Sequence, residues 1–229
     1  MKKISFILSA LSVLSFFSFT FSGTDFEGKV VYSIDISGGN LPPQAKSMMA
    51  GSTATIYVKG DKARTEMNMG MQTTTTIYDR KANTHVTLME MMGNKYKIKA
   101  DDSKKDEKKS DIKTNVTAET KTIAGYVCKK AVVTVTDAKG TAQNFNIWFT
   151  EEISNHMNSS SENGAQFKDI KGMPLEYEII AQNGMTMKMS ATSVSKETVA
   201  DSKFVVPDGY KETTIEDMQK DMMKNMQQH

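Results

Sequence analysis

LEYEIIAQNGMTMKMSATSVS, residues 175–195, alternates apolar and polar side chains on both sides of an Asn-Gly pair. A period of two is typical of a β-strand with one buried face, and Asn-Gly between two such runs predicts a tight hairpin turn. In the second run every odd-numbered residue from Met185 to Ala191 is apolar, and every even-numbered one is polar. The stretch therefore predicts an antiparallel hairpin with methionines on one face.

The same alternation recurs along most of the chain. Gly60-Asp61 and Gly93-Asn94 each separate two alternating runs and predict further hairpins. One apolar side and one polar side in each run is the pattern of an antiparallel sheet. The predicted fold class is therefore mainly β (α+β), with one or two short helices and a C-terminal helix.

Methionine marks the apolar side of several of these runs, and the chain has 18 methionines. Methionine is flexible, polarizable and apolar. A sheet face followed by methionine is a soft core, a cavity for a hydrophobic ligand, or a thioether metal site. The methionines predicted to line a ligand are Met67, Met69, Met71, Met89, Met91, Met185, Met187 and Met189.

The N-terminus predicts a secretory signal peptide over residues 1–22. An apolar stretch follows two lysines and ends in Thr20-Phe21-Ser22, with small residues at the cleavage positions. An uncleaved anchor is the alternative, which this small-residue exit disfavours. Because no cysteine lies near Ser22, lipoprotein processing is not expected, and no later stretch is apolar enough to span a bilayer. The predicted location is periplasmic or secreted, after cleavage near Ser22.

The rest of the chain predicts a single sheet domain over 23–212 and an amphipathic helix over 213–229. Residues 101–113 contain one apolar side chain among mixed charges, so they predict a mobile loop within the domain. Thr213 and Glu216 have the spacing of a capping box that opens the helix. Packing on the sheet, a lid over it, and fraying all remain open for this helix. Its apolar stripe consists of Ile215, Met218, Met222 and Met226.

The charge balance disfavours polyanionic partners. The chain has 29 basic and 27 acidic residues, and removal of Lys2 and Lys3 with the signal peptide brings both to 27. A balanced chain has no long-range field to attract an anion. No nucleic-acid partner is therefore predicted.

No residue pattern typical of catalysis is present in the sequence. His85, His156 and His229 are scattered, and there is no nucleophile elbow, metal-spaced cluster or glycine-rich phosphate loop. We therefore expect neither enzyme activity nor a cofactor. Cys128 is the single cysteine, which excludes a disulfide within one chain. It is predicted to be a small buried hydrophobe, and the alternative is a reactive or intermolecular thiol.

Four segments, taken in order, resemble a known family: IYVKGDKARTEM (56–67), TIAGYVCKKA (122–131), IWFTEEI (147–153) and GMPLEYE (172–178). They resemble secreted bacterial domains of unknown function with a DUF4412-like pattern, over residues 26–207. That family is similar in strand plan to the lipoprotein-carrier (LolA/LppX-like) superfamily. The resemblance implies a strongly bent antiparallel sheet, a half-barrel, with helices or loops over its concave side. Members of the wider superfamily carry acyl chains in that hollow, but the resemblance implies no catalytic or binding residues.

The predicted function is that of a non-catalytic protein that binds a lipid or acyl chain on a concave, methionine-lined sheet. The alternative is a structural or interaction domain with a filled core and no ligand. A third hypothesis is a Cu(I) site, because thioethers select Cu(I). Methionines at i and i+2 in a strand are about 6.5–7 Å apart, so one ion would need ligands from a neighbouring strand. The oligomeric state stays open.

Overall fold

The computed structural model describes residues 26–39, 42–99, 111–136, 140–155, 165–180 and 184–226. The predicted signal peptide lies outside these residues, as do residues 101–110 of the predicted loop. Residues 111–113 of that loop belong to a strand. In the described part of the chain, no helix is long and apolar enough to cross a membrane.

The described residues form strands, two α-helices and two 3₁₀ turns. In chain order they are β1 (Gly28–Gly38), α1 (Pro43–Met49), β2 (Thr53–Lys59), β3 (Lys62–Met69), β4 (Gln72–Asp79), β5 (Thr84–Met91), β6 (Asn94–Ile98), β7 (Asp111–Ile123), β8 (Tyr126–Thr136), β9 (Ala142–Ser154), a 3₁₀ turn (Ala165–Phe167), β10 (Gly172–Ile180), β11 (Met185–Lys196), a second 3₁₀ turn (Asp201–Phe204), β12 (Lys211–Thr213) and α2 (Ile215–Met226).

The strands form one sheet in the order β12-β6-β5-β4-β3-β2-β1-β11-β10-β9-β8-β7. Strands β1 to β6 form one meander and β7 to β11 form another. Pairing of β1 with β11 joins the two meanders. Only the short edge strand β12 pairs in parallel, with β6. The mainly β, antiparallel prediction is confirmed.

The sheet is neither closed nor strongly curled, so the predicted half-barrel is wrong in its curvature. In the described chain, the substantial contacts join strands that are neighbours in the sheet, apart from those between β3 and the 3₁₀ turn at Asp201–Phe204. The physical reason lies in how the faces are covered. Separate chain segments lie on each face, so burial does not require one half of the sheet to wrap over the other.

The main core lies on the face that carries Tyr32, Tyr177 and Met189. Met189 is directly opposite Ile34 on one side and Tyr177 on the other, so these side chains share that face. Residues 165–171 cover them, and the Phe167 ring meets the Tyr177 ring edge-on at a centroid distance of 5.0 Å.

Side-chain hydrogen bonds fix the segment that covers the core. The amide of Asn155 donates to the carbonyls of Phe167 and Ile170, at 3.0 and 2.7 Å. The buried Tyr32 hydroxyl donates to the Pro174 carbonyl at 2.7 Å. The two Asn155 bonds tie this segment to the end of β9, and the Tyr32 bond gives the buried hydroxyl an acceptor.

The opposite face is crossed by residues 197–213, which we call the strap. Lys59 Nζ donates to the Val199 carbonyl at 3.0 Å, and Arg64 Nη1 donates to the Lys203 carbonyl at 3.1 Å. Farther along, the Tyr210 hydroxyl donates to the Glu90 carboxylate. The strap thus runs from β2 across β3 and β5 to the edge strand β12. Side chains buried on this face are Thr75, Ile77 and Leu88.

Candidate functional site

Four methionines occupy two rows on the core face of the sheet. Met67 of β3 and Met89 of β5 are both opposite Thr74 of β4. Directly opposed residues of antiparallel strands point to the same face. The second row repeats the arrangement, with Met69 and Met91 on either side of Gln72. These four methionines, the methionine quartet, are half-buried.

The predicted methionines of β11 lie on the same face as the quartet but in a different place. Met67 is opposite Ala54, which is opposite Tyr32, which is opposite Ala191. This series of directly opposed pairs shows that the methionines of β3 and those of β11 lie on the same face of the sheet. Strands β1 and β2 separate β11 from β3, however, which puts the two groups about 14 Å apart.

The β11 methionines differ in burial. Met189 is 1% exposed and belongs to the core cluster, while Met187 is partly buried against that cluster. Met185 is half-buried opposite Gly38 at the end of β1. Met189 is therefore part of the protein's own core, whereas the quartet is half-buried, with Met67 packed against the edge of that core.

Met71, one of the methionines predicted to line the ligand, lies in a turn and not in a strand. Met69 pairs with Gln72, so Gly70 and Met71 form a two-residue turn between β3 and β4. Gly70 has a φ of 61°, a left-handed conformation that glycine adopts without steric cost. Met71 is 61% exposed in this turn. Met71 therefore does not extend the strand alternation of Met67 and Met69.

The strip of β4 that lies between the methionines of β3 and those of β5 is polar. Gln72 Nε2 donates to Thr74 Oγ1 at 3.1 Å, along the central strand β4. Thr76 continues this strip toward the other end of the sheet, opposite Thr65 and Thr87. The face therefore offers thioethers on both sides of a line of hydroxyl and amide groups, an arrangement suited to an amphipathic guest.

Exposed methionines gather at one end of the sheet. Met48 at the end of α1, Met71 in the β3–β4 turn and Met92 in the β5–β6 turn are 50%, 61% and 63% exposed. These turns lie at the same end because β3 and β5 both finish there. Met69 and Met91 are the last residues of these two strands. The rim of exposed methionines is thus continuous with the quartet.

Met92 occupies a backbone conformation that disfavours it. Its φ is 51° and that of Gly93 is 80°, the signs of a type I′ hairpin turn. Asparagine and glycine are the residues preferred at the first position of such a turn. Holding another residue in the left-handed conformation costs on the order of 1 kcal/mol or more. The chain therefore holds an apolar side chain in solvent at a position where a polar residue would be more stable.

The residues of the apolar stripe predicted for the C-terminal helix α2 differ in burial. Met218 is 4% exposed and packs, whereas Ile215 is 52% exposed. The side chains of Met222 and Met226 lie outside the described residues. The cap is Thr214, whose Oγ1 accepts a hydrogen bond from the Asp217 amide at 3.1 Å. The helix therefore begins one residue later than the predicted capping box.

A second cluster, which sequence reasoning missed, surrounds Trp148 on the strap face of β9. Lys121 Nζ lies 4.3 Å from the centre of the Trp148 ring and 2.9 Å from a carboxylate oxygen of Glu176. Glu176 also pairs with Lys188 at 3.7 Å. The signal was a tryptophan on the polar side of an alternating strand. Because the ring and the charges already have partners, a structural role accounts for them.

Two cavities are polar. The first, of about 230 Å³, lies beside Trp148 and Glu176. The second, of about 380 Å³, lies between the edge strand β12 and α2. Neither is lined by a methionine. The quartet is therefore an open patch on the sheet, not the wall of either cavity.

Cys128 is fully buried and free, as predicted. Burial above all raises the pKa of its thiol to about 11. Its Sγ contacts the Tyr126 carbonyl at 3.6 Å. In the described ranges, no three or more His, Cys, Asp and Glu side chains are grouped as metal ligands would be. His85 is exposed on β5.

Comparison with known proteins gives one family match. A model described as a domain of unknown function (DUF4412) matches residues 44–210. The matched part includes the methionine quartet, the buried core of β8 to β11 and most of the strap. No curated protein matches the chain.

Proposed function

The chain belongs to the DUF4412 family, and we propose that it is a non-catalytic binding protein for an apolar ligand, a lipid or an acyl chain. The ligand lies on the methionine quartet and on the polar strip of β4 between its β3 and β5 methionines. Because residues 1–22 are predicted to be a signal peptide, we propose that the ligand binds in the periplasm or outside the cell.

The observation that carries the proposal is the uneven cover of one sheet face. Over β10, β11 and β1, residues such as Tyr177 and Met189 are almost fully buried. Over β3 and β5, the quartet methionines stay half-buried within the described structure. Complete burial of a methionine side chain is worth about 1.5–3 kcal/mol. A ligand that covers four half-buried methionines gains part of that free energy for each.

The polar strip narrows the class of ligand. A purely hydrocarbon guest would bury the Gln72 amide and the Thr74 hydroxyl without adding a hydrogen bond, at a cost. A lipid with a polar group near its chain can bond to this strip while its chain contacts the methionines. We therefore favour an amphipathic lipid over a simple hydrocarbon.

The first test replaces two quartet methionines with a polar residue of similar length. Met67→Gln combined with Met89→Gln is expected to weaken binding of a fluorescent fatty acid by about tenfold or more, since about 1.4 kcal/mol of lost contact suffices for that factor. Fluorescence titration gives the dissociation constants. Extraction and mass spectrometry of the purified chain identify any lipid that it carries.

The matched control adds glutamines to the other face of the same strands. Asn68 and Thr84 are exposed residues of β3 and β5 whose side chains point away from the quartet. Asn68→Gln with Thr84→Gln is expected to leave binding unchanged. The carrier proposal is wrong if no lipid co-purifies and the probe does not bind, or if both double variants bind equally well.

Met92→Asn is expected to stabilise the fold and weaken binding at the same time. Asparagine tolerates the left-handed conformation better than methionine, so the free energy of unfolding should rise by about 0.5–1 kcal/mol. Loss of an apolar rim side chain should weaken binding of the fatty-acid probe severalfold. Denaturant unfolding and probe titration measure the two effects separately.

Asn83 provides the reverse exchange at the far end of the sheet. It has the same φ of 51° in the β4–β5 turn, away from the rim methionines. Asn83→Met should therefore destabilise the chain by a similar amount and leave binding unchanged. Unchanged binding in Met92→Asn would remove Met92 from the binding surface.

A further inference from the structure

Three methionines lie next to Gly70, where α1 meets the β3–β4 turn. A Cβ placed at Gly70 would lie 2.6 Å from the Met48 carbonyl oxygen and 3.9 Å from the Met48 Cβ. Met69 and Met71 flank Gly70 in the chain. The side chains of Met48, Met69 and Met71 therefore start from neighbouring points around a residue that has no side chain of its own.

In this arrangement the methionines are not limited by the spacing of residues along one strand, which keeps i and i+2 side chains too far apart to bind one ion. In a continuous strand, Met69 and Met71 would need a partner from a neighbouring strand about 4.8 Å away. Here the chain reverses at Gly70, since Met69 pairs with Gln72. The third sulfur comes from helix α1 instead of from a strand.

The end of α1 is fixed in place, which holds Met48 against the turn. Ser52 is 4% exposed, and both its amide and its hydroxyl donate to the Met49 carbonyl, at 3.2 and 2.6 Å. Gly70 in turn accepts the close approach of the Met48 backbone only because it lacks a Cβ. Both sides of the cluster are thus set by the fold.

We propose that Met48, Met69 and Met71 bind a soft monovalent cation, Cu(I) or Ag(I). Thioethers are soft, uncharged ligands that select Cu(I), and the unbranched methionine side chain adjusts readily to a metal. Met48 and Met71 are 50% and 61% exposed, so an ion reaches them from solvent. This site does not depend on the lipid proposal, because it requires sulfur and not apolar surface.

Leucine substitutions remove the sulfur atom of a methionine and keep an apolar side chain in its place. Leucine is apolar and close to methionine in volume, and such exchanges cost little stability. Met48→Leu and Met71→Leu should each weaken Ag(I) binding by on the order of tenfold or more. Met92→Leu is the matched control, since Met92 is 63% exposed in a different turn. It should leave Ag(I) affinity unchanged.

The experiment titrates the purified chain with Ag(I), and with Cu(I) under anaerobic conditions against a chromogenic competing chelator. One equivalent should bind, and X-ray absorption of the Cu(I) form should show sulfur neighbours. Affinity should be nearly the same at about pH 7 and about pH 5, because a thioether has no proton to lose, whereas histidine, thiolate and carboxylate sites weaken in acid.

Several results would overturn the site. They are no binding, binding that Met48→Leu and Met71→Leu leave intact, and equal weakening by Met92→Leu. A steep loss of affinity on acidification would also exclude a thioether site. Thermal unfolding of each variant establishes that it is folded, so a loss of metal binding reports on the ligands.

Discussion

Gly172→Ala is expected to destabilise the chain by about 3 kcal/mol, within the range that overpacking costs a core. A Cβ at Gly172 would lie 2.0 Å from the Thr150 carbonyl oxygen and 2.6 Å from its carbon. Both are backbone atoms of β9, which no side-chain rotation can move aside. Equilibrium unfolding in denaturant measures the effect.

Gly125→Ala separates steric overlap from backbone strain. Gly125 has a φ of 87°, and a Cβ there would meet nothing within 4 Å. Its replacement should therefore cost only the left-handed conformation, on the order of 1 kcal/mol. If Gly172→Ala costs no more than Gly125→Ala, strands β9 and β10 do not approach as closely as the structure places them.

The close approach at Gly172 shapes the centre of the core. The register between β9 and β10 shifts on both sides of Met173 and Pro174. Gly172, Met173, Pro174 and Leu175 are four consecutive buried residues, which a regular alternation with one open face would not give. The shift also presents the Pro174 carbonyl to the Tyr32 hydroxyl. An added methyl group at Gly172 therefore disturbs more than its own contact.

Local alternation predicted which residues share a face because side-chain direction depends on the strand itself. Met67 and Met69, and Met187 and Met189, lie on the face assigned to them. Which strands become neighbours is not a local property, since β1 pairs with a strand more than 140 residues later. Curvature came from the family resemblance alone, and there the prediction was wrong.

The site was predicted in part for the same reason. Met71 follows a glycine, and an alternating pattern does not reveal that Gly70 turns the chain. The contact between Met48 and Gly70 joins a helix to a distant hairpin, so no spacing in the sequence indicates it. The strap has no regular period, and its cover of Leu88 became visible only in the fold.

Cys128 in the folded chain is expected to react with iodoacetamide at least about 100 times more slowly than in the denatured chain. The thiolate is the reactive form. Burial raises the pKa of this thiol from its ordinary value of 9.0 to about 11, which lowers the thiolate population at neutral pH by about two powers of ten. Timed alkylation with mass spectrometry gives both rates.

The same shift makes stability depend on alkaline pH. Because the folded pKa is the higher one, the unfolded chain loses this proton first as pH rises. The stabilisation is fully present below about pH 9 and is lost as pH rises through about 11. At that pH the free energy of unfolding has fallen by roughly 2 kcal/mol. Burial also raises the pKa of Tyr32 well above its ordinary value, so tyrosines add to this alkaline loss.

Cys128→Ala isolates the contribution of the thiol. Subtracting its stability profile from that of the parent chain should leave a fall between about pH 9 and about pH 11. Equal alkylation rates in the folded and denatured chains would show instead that Cys128 lies outside the core of β8. A protected thiol also bears on metal binding, because a soft cation bound by the folded chain then has methionine sulfur as its ligand and not Cys128.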